Sequence, residues 1–166
     1  MTAIITIEQE RPDTPDAITL IDELEAYLIP LSPPESRHGY SVDKLIKQNV
    51  QFFVIRVDGE PVGCGGVQFF DVGLSTAYGE LKRMYVRPGH RGRGLAQRLL
   101  QHLETVTAGK EISILRLETG VAQKEAARLY QNWGFSLIPP FGDYQEDPNS
   151  RYYEKSITAA NGTTSS

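Results

Sequence analysis

Apolar residues recur at two different periods along the chain, and the switches between those periods mark out its elements. Ile18, Ile21, Leu24 and Leu28 fall at helical spacing after Thr14-Pro15, a capping side chain followed by a proline that the first helical turn tolerates, and Pro30 closes the run. Pro33 to Gly39 reads as a loop, and Ser41 is placed to cap a short helix through about Gln48. Gln51 to Val57 is rich in β-formers, Asp58-Gly59 signals a hairpin turn, and Pro61 to Phe70 reads as the returning strand, whose glycines predict close backbone packing. Gly79 to Val86 adds a strand that ends at Pro88 and completes an antiparallel meander. The period then changes. Leu95, Leu99, Leu100 and Leu103 mark one face of a helix that Gly109 terminates, Ile112 to Glu118 reads as a strand, and Gln123 to Asn132 reads as an amphipathic helix ended by Gly134. Phe135 to Ile138 and Arg151 to Ile157 read as closing strands. The small, polar stretch from Thr158 to Ser166 is expected to be disordered, leaving one domain over residues 1–157 with no internal repeat or linker.

Length agrees with one core, since 166 residues fall in the usual range of ~100–200 residues per domain. No apolar run approaches the ~20 residues of a membrane-spanning helix, so no membrane partner is expected. Met1-Thr2-Ala3 leads straight into Ile4-Ile5-Thr6-Ile7 without a basic start and long apolar stretch, which makes the cytoplasm the expected location. The single cysteine, Cys64, excludes an internal disulfide, and its apolar, glycine-rich surroundings predict a small buried hydrophobe. A net charge of −4 argues against a broad nucleic-acid surface. The charge is uneven, however: Lys82, Arg83, Arg87, Arg91, Arg93 and Arg98 crowd into seventeen residues.

Part of that crowd lies between a strand and a helix, in Arg87-Pro88-Gly89-His90-Arg91-Gly92-Arg93-Gly94-Leu95-Ala96. Free N–H groups in a first helical turn, with the positive end of the helix dipole, make an anion site. Gly92, Gly94 and Ala96 would let a pyrophosphate approach the backbone, and the arginines would add charge-assisted hydrogen bonds. Alone, an Arg-Gly-Arg-Gly string is equally a solvated turn. The glycine spacing is not that of a dinucleotide fold, and the Gly-Lys-Ser/Thr of a Walker loop is missing, so neither NAD nor ATP is supported. An RNA-binding reading leaves the glycine spacing unexplained and lacks aromatics between the arginines.

In this order of elements the sequence resembles the GNAT superfamily of acyl-CoA-dependent N-acyltransferases. Arg91, Gly94 and Ala96 match its Arg/Gln-x-x-Gly-x-Gly/Ala turn, and Gln123, Ala126, Leu129-Tyr130 and Gly134-Phe135 match its second signature. Gln123 stands where the family usually has Asn, and its amide offers the same donor and acceptor groups on a longer stem. The similarity runs from about Glu80 to Ile157, and Glu80-Leu-Lys-Arg-Met, Leu117-Glu-Thr-Gly and Phe141-Gly-Asp-Tyr look like a branch of small bacterial acetyltransferases. The resemblance implies an α/β fold: a mixed, mostly antiparallel sheet flanked by helices. The strand before Arg91 and the strand ending at Glu118 would splay apart to admit the cofactor's pantetheine arm. It also implies acetyl-CoA as co-substrate. The cofactor would be held by Met84, Tyr85 and Val86, by Arg91, Gly92, Arg93, Gly94, Leu95 and Ala96, and by Gln123, Ala126 and Tyr130. Its acceptor would be a primary amine of a small molecule or peptide, with a homodimer left open. A non-catalytic acyl-CoA sensor with the same turn is the alternative.

The implied chemistry makes demands on side chains. An amine of pKa ≈ 10.4 is neutral at pH 7 only to about one part in 2,500, a deficit of ~4.6 kcal/mol, so a base is needed. Glu80, eleven residues before Arg91, stands at the offset where histone-type members of the family carry theirs. Strand alternation predicts that it shares a face with Lys82 and Met84, and a carboxylate simply paired with Lys82 or Arg83 is an equal reading. Tyr130 is the family's candidate acid for the departing sulfur, the competing reading being a core aromatic beside Trp133. A bulged strand at Met84 to Val86 would present a backbone N–H to the developing oxyanion. Tyr27, Arg37, His38, Glu118, Phe141, Tyr144 and Tyr152 are the candidates for the acceptor pocket, where aromatics with an arginine suit a small amine bearing a carboxylate. His38 has no second His, Cys or Asp at metal-ligand spacing, which predicts a loop residue and no metal.

Overall fold

A computed structural model describes residues 2–158, so from residue 159 onward the expected disordered tail lies outside the described residues. Seven strands, β1 (Ile5–Gln9), β2 (Gln51–Val57), β3 (Glu60–Phe70), β4 (Tyr78–Val86), β5 (Ile114–Gly120), β6 (Ser136–Ile138) and β7 (Ser150–Ser156), form one sheet in the order β1-β2-β3-β4-β5-β7-β6. Every neighbouring pair is antiparallel except β4 and β5, which run parallel. The meander is β2-β3-β4 as expected. Its first turn has Asp58 and Gly59 both at positive φ, 50° and 85°, the geometry that a two-residue hairpin loop demands. The pattern of the sequence did not identify β1, a half-buried edge strand built from Ile5-Thr6-Ile7 and paired to β2.

Four α-helices cover the sheet: α1 (Pro15–Leu28), α2 (Val42–Lys47), α3 (Leu95–Ala108) and α4 (Lys124–Asn132). Thr14 Oγ accepts from Ala17 N at 3.2 Å and Ser41 Oγ from Lys44 N at 3.2 Å, so both anticipated side-chain caps are made. On one face of the sheet α1 and α2 bury Leu20, Leu24 and Leu45 against Phe52, Val54, Cys64 and Tyr85. On the other, α3 and α4 bury Leu99, Leu100, Leu103 and Tyr130 against Phe53, Val67, Leu81, Leu115 and Leu117. A strand apolar on both sides, such as Phe52-Phe53-Val54-Ile55, follows from this two-sided covering.

Two irregularities in β4 shape the molecule. Against β3, the register slips opposite Arg83 and Met84, and Arg83 takes a left-handed φ of 56°. This bulge reverses the alternation. Glu80 and Lys82 share the α1/α2 face, as expected, but Met84 turns to the opposite face and packs on the α3/α4 cluster beside Leu99; a β-carbon on Gly65 would run into its sulfur. Against β5, β4 pairs at only two positions, Gly79 with Leu115 and Glu80 with Arg116, after which the two strands separate. The β5 strand itself begins two residues later than its sequence suggested, because the link from α3 makes an extra turn at Glu111, with φ 61°.

Candidate active site

The separation of β4 and β5 opens a cleft through the sheet, lined by Leu81 to Met84 on one side and Leu117 to Gly120 on the other. Gln123 and Tyr130 of the α4 segment close one end; Arg37, His38, Tyr40 and Tyr144 from loops close the other. Tyr130 is held by the way α4 ends. Gly134, at φ 102°, lets Phe135 N donate to Tyr130 O at 2.9 Å and Gly134 N to Gln131 O at 3.1 Å, and the Phe135 ring lies 5.6 Å from that of Tyr130. Its hydroxyl lines the cleft with no protein hydrogen bond among the described residues, and burial holds its pKa well above the usual tyrosine value.

Two carboxylates stand in the cleft in different circumstances. Glu80 is buried; its Oε2 receives the Lys82 ammonium at 2.8 Å and the Tyr144 hydroxyl at 2.6 Å. Lys82 sits 3.9 Å from the centre of the Tyr40 ring. Glu118 accepts one hydrogen bond, from Ser150 Oγ at 2.9 Å, across the β5–β7 pairing. Burial pushes its pKa up to about 7, with Glu80 adding to the rise and Ser150 and Lys82 opposing it.

The glycine turn stands at the end of β4. Gly92 and Gly94 have φ of 76° and 77°, with open space where a side chain would begin. Gly94 caps α3 without any side-chain bond, so the first amides of this fourteen-residue helix have no intrahelical acceptor. Leu95 is buried under the turn and Ala96 half-buried beside it. Arg91 Nε donates to Val86 O at 2.9 Å, with its guanidinium 5.5 Å from the Tyr27 ring, and Arg93 contacts His90 Nδ1 at 3.0 Å. Three other cations of the basic run are committed inside the fold, Lys82 to Glu80, Arg83 to Glu25 and Arg87 to Glu23, which also takes the Tyr85 hydroxyl, whereas Arg98 is exposed on α3. Among these, the two bonds from Arg87 hold the Glu23 carboxyl below its ordinary pKa.

Of the acceptor-pocket candidates, the cleft collects Arg37, His38, Glu118 and Tyr144. Tyr27 is not among them, because it faces Arg91 on the turn side of the molecule. Phe141 is buried in an aromatic cluster behind Tyr144, at 5.2 Å between ring centres, and supports the wall without reaching the cleft. Tyr152 joins the same cluster, and its hydroxyl donates to Gln145 O. Ala126 packs on the α3/α4 cluster. Val86 is buried with Leu95, and Cys64 is fully buried with its thiol pushed up to about 12. The sequence did not single out Tyr40, a cleft-lining residue in an aperiodic loop, or Ser150, which lies behind the cleft and meets Glu118 through the register of β5 and β7.

No helix among the described residues is long and apolar enough to cross a membrane, and no group of three or more His, Cys, Asp or Glu side chains gathers there to hold a metal. Residues 17–135 match the model of the Acetyltransferase (GNAT) family. The chain is 40% identical to an IAA acetyltransferase of Azospirillum brasilense over 92% of its own length and 98% of that protein's. It is 35% identical to the N-acetyltransferase YsnE of Bacillus subtilis, over 84% and 91% of the two chains. Among solved structures, a GNAT family acetyltransferase from Elizabethkingia anophelis with acetyl-CoA bound superposes with a TM-score of 0.68 at 17% identity, covering 92% of this chain and 98% of that one. An N-acetylglutamate synthase from Neisseria gonorrhoeae, complexed with coenzyme A and N-acetyl-glutamate, gives 0.71 at 21% identity, covering 95% of this chain and 36% of that one.

Proposed function

Because the chain belongs to the GNAT acetyltransferase family and is an acyltransferase drawing on acyl-CoA, we propose that it moves an acetyl group from acetyl-CoA directly onto a primary amine in the cleft between β4 and β5. The observation that carries the reading is that this cleft, opened where strand pairing stops after Glu80–Arg116, brings Glu118 and Tyr130 together at the end of β4 that leads into the glycine turn. The residues present fit the donor. Gly92 and Gly94 leave the backbone open, the uncapped amides of α3 offer donors to a pyrophosphate, and Arg93 and Arg98 add positive charge nearby. When bound, acetyl-CoA supplies a thioester reactive towards amines. Gln123, at the start of α4, is the amide within reach of its pantetheine arm.

Glu118 is the better proton acceptor. Glu80, favoured by its offset from Arg91, has Oε2 engaged by both Lys82 and Tyr144, whereas Glu118 uses only one bond and its pKa lies near neutrality, where a general base is most effective. In this reading the Glu80–Lys82–Tyr144 group orders the neck of the cleft. Tyr130, kept a phenol by burial, holds a proton for the departing sulfur. Burial of Cys64, the one cysteine, with its thiol pKa pushed up, disfavours a cysteine acyl-enzyme and supports direct attack. A screen of amines and amino acids with acetyl-CoA, following free thiol and acetylated product, tests the proposal. Acceptor-dependent thiol release at the rate of product formation is the expected result; thiol release that no acceptor accelerates would refute it.

A further inference from the structure

The cleft widens outward into a bowl floored by Phe70 and Tyr78, and the two spaces share a neck formed by Arg37, His38, Tyr40, Glu80, Lys82 and Tyr144. Charges at this neck are not equally compensated. Lys82 is paired with Glu80, and Arg83, on the inner wall, is paired with Glu25. Arg37 has no carboxylate partner among the described residues. It is nevertheless held in place: Nε donates to Ser32 O at 3.0 Å and Nη2 to Ile29 O at 2.9 Å. Two carbonyls fix the plane of a guanidinium without neutralising it, and Nη1 makes no protein hydrogen bond among the described residues. The result is an exposed, oriented cation without a carboxylate partner, at the neck shared by the bowl and the cleft that holds Glu118.

We propose that Arg37 binds a carboxylate on the acceptor, so that the amines taken by this cleft are amino acids. The inference rests on the cleft being the acceptor site of the proposed transfer. An amino acid entering with its amine towards Glu118 leaves its carboxylate at the neck, within the sphere of Arg37, and its side chain in the aromatic bowl. The bowl is lined by the carboxylates of Glu35, Asp71, Asp143, Glu146 and Asp147 and by two cations, Lys44, which lies over the Tyr40 ring, and Arg116, which is paired with Glu154, so its balance is acidic and it attracts any ammonium group without distinguishing an amino acid from a simple amine. Discrimination therefore falls to the neck.

The test measures binding and transfer separately. Calorimetry on the CoA-saturated protein compares L-phenylalanine with phenethylamine and L-lysine with cadaverine, with spermidine as a polyamine, while thiol release is followed with acetyl-CoA. Each amino acid is expected to bind about 10- to 100-fold more tightly than its decarboxylated partner, the span of one charge-assisted contact. Arg37→Gln should bring the ratio close to one, and Arg37→Lys should leave it between, because the charge remains but its anchoring to Ser32 and Ile29 is lost. The same preference without thiol release would sink the transferase reading and still support the carboxylate site. Equal or tighter binding of phenethylamine, cadaverine or spermidine by the unmodified protein, or a preference that survives Arg37→Gln in a folded variant, overturns the proposal.

Discussion

Replacing Glu118 by Gln removes a titration while keeping the side chain's shape and a partner for Ser150. The folded carboxyl has a pKa of about 7 against an ordinary 4.5, because burial disfavours its charged form. Between those values the folded protein holds a proton that the unfolded chain has released, so this group's contribution to stability declines as pH rises from 4.5 and is fully lost above 7. The gap between 4.5 and about 7 corresponds to up to about 3 kcal/mol, or roughly 6–12 °C in Tm for a chain of this size. Wild type and Glu118→Gln should therefore melt alike near pH 4.5, with the variant more stable by up to that amount at pH 8. Scanning calorimetry across this interval measures it. The kinetic arm runs in the opposite direction: kcat/KM of the wild type should rise through an apparent pKa near 7, and the variant should lose about 10²–10⁴-fold together with that limb. A Tm difference independent of pH would show that the buried charge is not the cause. A pH–rate profile superimposable on wild type would remove Glu118 from proton transfer.

Gly94→Glu places a side chain and a negative charge on a residue with φ 77° at the uncapped start of α3, and should abolish the Tm rise produced by acetyl-CoA; undiminished binding by calorimetry would locate the cofactor elsewhere. Tyr130→Phe keeps the contact with Phe135 and deletes a hydroxyl that has no protein partner among the described residues, so stability should hold while turnover falls about 10²–10⁴-fold; normal turnover with chemistry rate-limiting would make Tyr130 a packing residue. Glu80→Gln leaves Lys82 buried without its counterion and should cost about 3–5 kcal/mol, much of it recovered in the double variant with Lys82→Met; urea denaturation that finds the single variant as stable as wild type would contradict the buried pair.

The parts of the molecule governed by local chemistry could be read directly from the chain. Asp58-Gly59 specified its turn, Thr14 and Ser41 their caps, and the leucines of α3 their face, because each depends on residues close in sequence. Met84 could not be placed that way. Its side is decided by the left-handed Arg83, a conformation to which arginine gives no clue, so the rule of alternation failed one residue after it had held for Lys82. The basic run misled in a related manner: half of its charges answer to Glu23, Glu25 and Glu80, and only pairing across the fold reveals which remain. Of the acceptor-pocket candidates, all offered on the same ground, Arg37, His38, Glu118 and Tyr144 line the cleft, whereas Tyr27 and Phe141 lie beside and behind it, because position along an element does not say which way its side chain faces.

The short pairing between β4 and β5 leaves two rows of backbone amides and carbonyls facing each other in the middle of a sheet. Exposed strand edges normally recruit other chains, but these lie inside the sheet, with α1 packed on one face and α3 and α4 on the other. The sheet thus carries an internal slot whose walls present unpaired backbone groups to a slender chain with amides of its own. Filling that slot would join the two halves of the sheet, and amide hydrogen exchange along Leu81 to Val86 and Leu117 to Gly120 should slow when coenzyme A is added.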